Sequence, residues 1–145
     1  MNKKVKLIVE IVVFVVALCA ITGVYYFSKS SGEEEEEAKS VGIIKVNDAN
    51  FSEEVFNAEK PVILEFTSKS CPPCVAMLTT LINIAKENED IKIGTVDMDD
   101  SESEKIISRY GIQATPTIMI FKDGSVKETI LGAASEEKIM DALGK

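Results

Sequence analysis

The 145 residues contain three cysteines and no histidine, and two of those cysteines, Cys71 and Cys74, are separated by two residues. Sulfurs at this spacing on the start of a helix can close a small disulfide ring or share a metal ion. A closed zinc site takes four ligands, commonly two such pairs, and the chain offers neither a second pair nor a His. A purely structural bridge over so short a loop removes little entropy from the unfolded chain. Thiol–disulfide exchange is the reading that uses both sulfurs. A helix N-terminus favours negative charge, so Cys71 is expected to be the attacking thiolate and Cys74, one turn inside, the shielded resolving thiol. The missing His also excludes His-based triads and His metal sites, and Val75 after Cys74 excludes haem attachment. No nicotinamide or flavin motif is visible, so no cofactor is expected and electrons have to come from another protein.

The elements that must position this pair can be read from periodicity. Residues 42–46 form a short apolar stretch, and Asn50-Phe-Ser-Glu53 has the pattern of a capping box opening a helix through Asn57. Val62 to Thr67 reads as a buried strand with one charge, Glu65, inside it. A helix then opens at Cys71, with Val75, Leu78, Leu81, Ile82 and Ala85 at helical spacing up to Asn88. A strand over 91–96 and a helix over 101–110, stopped by Gly111, follow. Residues 117–122 and 126–131 flank Asp123-Gly124, a strong hairpin signal. Ser135 caps a last helix ending near Leu143. The order β-α-β-α-β-α-β-β-α predicts an α/β fold with a mixed central sheet and helices on both faces.

Ahead of this domain the composition changes twice. Leu7 to Phe27 is apolar apart from Glu10, long enough as a helix for about 30 Å of bilayer. Lys3, Lys4 and Lys6 precede it and five glutamates, Glu33 to Glu37, follow it. The positive-inside rule then predicts a cytosolic N-terminus and an extracytoplasmic domain, with residues 7–27 as an uncleaved single-pass anchor in the cell membrane. A cleaved signal peptide needs small residues at −3 and −1, and Ala20 at −1 would place Leu18 at −3. Residues 1–27 are read as tip and anchor, 28–41 as an acidic linker extended by self-repulsion, and 42–145 as the folded domain. Residues 33–145 carry 12 basic and 23 acidic side chains, a surface that repels phosphate backbones and argues against nucleic-acid binding.

VILEFTSKSCPPC at the strand-to-helix turn, VDMDD closing the third strand, YGIQATPTIMIFKDGS and Leu131-Gly132-Ala133 together resemble the thioredoxin family over residues 42–145. The resemblance implies the thioredoxin fold, a cis Thr115–Pro116 bond beside Cys71, and a surface formed by Thr115, Pro116, Pro72 and Pro73 that receives an extended substrate peptide. It also implies that Glu65 occupies the place of a buried acid that takes the proton of Cys74 during resolution. The usual pattern is broken at Ser70 and Thr67, where aromatic residues are customary, at Thr95 in place of a lysine near the buried acid, and at Pro72. Pro72 brings no N–H toward the sulfur, so Cys71 is expected to be less acidic than in a strong oxidant. The expected function is reduction of disulfides in extracytoplasmic proteins, with a membrane thiol–disulfide protein as electron donor. An oxidase or isomerase, and a non-enzymatic peptide-binding module, are the alternatives.

Overall fold

The computed structural model describes the backbone of residues 3–145 and the side chains of residues 10–22 and 33–145. The chain divides into two compact units, Met1–Glu35 and Glu36–Lys145.

A long helix, α1, runs from Lys3 to Ser40. Glu10 to Thr22 are all exposed, Phe14 and Ile21 by about two thirds. Among the described residues no helix is long and apolar enough to cross a membrane. The expected anchor over 7–27 falls partly outside them, since the side chains of 7–9 and 23–27 are not described.

The linker departs from its expected extended form, because α1 continues through it to Ser40. Glu, Ala and Lys are strong helix formers, and the last turn gains contacts that offset repulsion among the glutamates. Ala38 is buried with Ile43 in the domain core, and Glu37 pairs with Lys86 at 2.6 Å. The helix closes with the two backbone bonds of a Schellman motif, Ile43 N–H to Ala38 O and Gly42 N–H to Lys39 O, with Gly42 at φ 85°.

In the second unit, five strands form one sheet of order β1-β3-β2-β4-β5. They are β1 (Ile44–Lys45), β2 (Val62–Thr67), β3 (Lys92–Asp97), β4 (Thr117–Lys122) and β5 (Ser125–Leu131). β1 and β2 run parallel to β3, while β4 is antiparallel to both β2 and β5. β2 is the central strand and is buried almost throughout, as its continuous apolar run requires. The hairpin turn holds Asp123 at φ 53° and Gly124 at φ 69°, the positive pair that a type I′ turn demands. A Cβ on Gly124 would lie 2.7 Å from the Phe56 carbonyl oxygen, so both the conformation and the space call for glycine.

Alternation along the strands separates two cores. Ile63, Ile93, Ile118, Ile120 and Ile130 face α2 (Pro72–Glu87) and α4 (Glu136–Leu143). Val62, Leu64, Phe66, Val96, Met119 and Phe121 face the segments before β2 and after β3. On that second face α3 (Glu104–Tyr110) is preceded by a 3₁₀ turn over Ser101–Ser103. The carboxylate of Asp48 accepts from the Lys105 and Ile106 N–H groups at 3.1 and 3.0 Å. Phe51, Tyr110 and Phe121 pack with ring centroids 5.6 to 6.0 Å apart and join these segments to the sheet.

Two local expectations are corrected. The capping box at Asn50 does not form: its Oδ1 accepts from Asn47 N–H, and the segment winds as a π-helix over Ser52–Phe56. The buried face of α2 is set by Cys74, Met77, Leu81, Ile82 and Ile84, while Val75 is exposed. Periodicity alone allowed a face centred on either Val75 or Cys74, and the sheet selects the one that buries Met77 and Ile84, each worth about 1.5 to 3 kcal/mol.

Candidate active site

Every predicted site residue except Glu65 lies at one end of the sheet, either at the start of α2 or in the loop before β4. β2 ends at Thr67, and the chain reaches α2 through Ser68-Lys69-Ser70. Cys71 is the N-cap of α2, extended at φ −110° and ψ 96°, with Pro72 and Pro73 in the first helical positions. Proline is pre-shaped for that place. Neither proline has an N–H to offer a thiolate, and the Cys74 N–H already donates to the Cys71 carbonyl at 3.0 Å. The helix N-terminus therefore acts on Cys71 through its dipole with fewer free donors than usual.

The sulfurs of Cys71 and Cys74 are joined in a disulfide, with Cα atoms 5.4 Å apart. Cys71 retains 9% of its surface and Cys74 3%, the order expected of an attacking and a shielded sulfur. Pro72 and Pro73 are exposed beside them. Among the described residues no group of three or more His, Cys, Asp or Glu is placed to hold a metal ion.

The second loop precedes β4. The Thr115–Pro116 bond is cis. Thr117, the first residue of β4, pairs with Phe66 and with Leu131, so Pro116 lies just past the last paired rung, at the end where β2 leaves for Cys71. The Thr117 hydroxyl donates to Ala114 O at 2.7 Å, and Gly132 N–H donates to Pro116 O at 2.8 Å. These bonds fix the loop between Ala114 and Gly132. Thr115 is half-buried, Pro116 is buried, and Leu131 beside them is 76% exposed. An exposed apolar side chain next to an immobilised backbone suits an extended peptide.

Glu65 sits on β2 between Thr95 and Ile118. By strand alternation it shares the α2 face with Ile63, two residues before the end of β2 at Thr67. It is 1% exposed, and its Oε1 has no hydrogen-bond partner. Burial pushes the carboxyl up to about 8. No cation stands opposite it, since the neighbouring strand supplies Thr95. The carboxyl is thus held as a neutral acid that can exchange a proton close to neutral pH.

The sequence reading missed Asp99 and Ser68. The Asp99 carboxylate accepts from Ser68 Oγ–H at 2.8 Å and from Lys69 N–H at 3.1 Å. The available signal was the acidic run Asp97 to Asp100 closing β3, in register with the end of β2 where Thr67 pairs with Asp97.

Residues 42–145 match the thioredoxin family profile. The chain is 35% identical over 100 residues to a thioredoxin of Rickettsia typhi, covering 69% of this chain and 94% of that protein. Over 106 residues it is 35% identical to a thioredoxin of Porphyra purpurea, covering 72% and 97%. Thioredoxin 1 of Synechococcus elongatus is 34% identical over 100 residues, covering 69% and 92%.

Proposed function

Because the chain belongs to the thioredoxin family and is a thiol–disulfide oxidoreductase, we propose that it works as a membrane-tethered reductant of disulfides in extracytoplasmic proteins. The observation that carries the exchange chemistry is the Cys71–Cys74 disulfide at the N-terminus of α2, at the same sheet end as the cis Thr115–Pro116 bond. The thiolate of Cys71 attacks one sulfur of a partner's disulfide, forming a mixed disulfide while the partner's other sulfur leaves as a thiolate. Cys74, giving its proton to Glu65, attacks the Cys71 sulfur and releases the partner's second thiolate. Two electrons pass to the partner, and the Cys71–Cys74 bridge remains.

The direction and the compartment rest on further features. Two prolines between the cysteines leave Cys71 without the N–H donors that would deepen its acidity, which favours a reductant over an oxidase. The apolar run of 7–27, with lysines before it and glutamates after it, supports a tether with the N-terminus in the cytosol. Disulfides persist outside the cytosol and need management there. The electron donor is then a membrane protein that passes thiol equivalents outward.

The placement is tested with a membrane-impermeant maleimide on intact cells expressing a Cys19→Ala chain after brief reduction. Labelling of Cys71 before lysis is the expected result. Labelling only after lysis places the domain inside and overturns the extracytoplasmic assignment.

A further inference from the structure

The loop that carries the nucleophile has no apolar anchor. Ser68-Lys69-Ser70 joins β2 to Cys71, and the backbone bond that closes it is Cys71 N–H to Ser68 O at 3.2 Å. The other amides of the loop are held by side chains. Lys69 N–H donates to Asp99 Oδ2 at 3.1 Å, and Ser70 N–H donates to Ser68 Oγ at 3.2 Å. The Ser68 hydroxyl in turn donates to the same Asp99 oxygen at 2.8 Å and lies 3.0 Å from Ser70 Oγ. One carboxylate oxygen thus holds Ser68 and Lys69 directly and Ser70 through the Ser68 hydroxyl.

Asp99 is itself held in place. Its N–H donates to Asp97 Oδ1 at 2.9 Å, and the preceding Met98 N–H donates to Thr67 O at 2.8 Å, which continues the β2–β3 ladder past its last rung. The path from the sheet to the sulfur therefore runs from β3 through Asp99 and Ser68 to Cys71.

We propose that Asp99 is a positioning residue for the dithiol exchange, clamping the 68–70 loop through the Ser68 hydroxyl and the Lys69 N–H so that Cys71 is held where Cys74 can close on it. The consequence is a higher effective concentration of the Cys74 thiol at the Cys71 sulfur, because less loop freedom has to be given up on ring closure. Charge-assisted bonds are the stronger kind, which suits a clamp working in an exposed loop. This inference rests on Cys71–Cys74 exchange as read above.

The test is the ring-closing equilibrium of the full-length chain in detergent against a small thiol and its disulfide, together with the rate of closure. Ser68→Ala and Asp99→Ala are each expected to lower both about three- to tenfold, the weight of an exposed hydrogen bond or two. Asp99→Asn, which keeps an acceptor oxygen, is expected to lose less, and Ser68→Thr, which restores the hydroxyl, to recover closure. Closure in both alanine variants equal to that of the parent, or a lowered melting temperature with an unchanged closing constant, overturns the clamp and leaves the exchange reading standing. A parent chain that does not close reversibly at all removes both.

Discussion

Replacing Cys71 by Ser should abolish disulfide reduction by the full-length chain, lowering the rate by roughly a thousandfold or more, because a hydroxyl supplies no thiolate for the first attack. Replacing Cys74 by Ser should leave that attack intact and stop the reaction at the mixed disulfide. The two losses are alike in turnover and different in product. Mass spectrometry of the Cys74→Ser chain after incubation with a disulfide-containing protein should show the covalent adduct, and the Cys71→Ser chain should show none. A non-enzymatic peptide-binding module using the Thr115–Pro116 loop predicts retained function in Cys71→Ser, so that outcome would remove the redox mechanism. The assignment of roles follows from position, with Cys71 at the cap of α2 and the less exposed Cys74 one turn inside.

The second large effect concerns Glu65. Glu65→Gln removes the group we propose takes the proton of Cys74, and it should slow resolution of the mixed disulfide on the order of a hundredfold at neutral pH. The carboxyl is pushed up to about 8 by burial alone, so its base form, and with it the advantage of the parent over the glutamine variant, should grow as pH rises through about 8. Rapid-quench kinetics across pH 6 to 9, read as the ratio of the two chains, measure this directly. Equal rates at every pH would remove Glu65 from the mechanism.

Stability carries the same signature with a definite sign. The folded protein holds the Glu65 proton to higher pH than the unfolded chain, whose carboxyl titrates near 4.5. Between about 4.5 and 8 the folded state therefore binds more protons, and stability falls as pH rises through that window. The full decline is on the order of 5 kcal/mol, complete above about 8. Urea unfolding of the oxidised chain should show this slope, and Glu65→Gln should flatten it.

Much of this site was legible because its signals are local. Cys71 and Cys74 are three positions apart, Asp123-Gly124 dictates its own backbone, and Glu65 stands out in an apolar strand. The cis Thr115–Pro116 bond was implied by resemblance, and the structure places it at the end of the sheet that carries Cys71. What failed depended on tertiary choice. Asn50 had the pattern of a cap, but its side chain is better used bridging Asn47 N–H and Lys45 O. Residues 28–40 looked extended by charge, yet helix propensity and the docking of Ala38 and Glu37 prevail. Asp99 bonds to a serine and an amide about thirty residues away, and no short-range pattern announces such a pairing.

The proposed function requires that the Cys71–Cys74 pair donate electrons. The most direct test is its reduction potential, measured on the full-length chain in detergent by equilibration with defined thiol buffers and mass spectrometry of the trapped thiols. An electron-donating pair is expected to have a value near that of thioredoxin, about −270 mV. A value of about −120 mV would make the pair an oxidant and overturn the proposed reductant role.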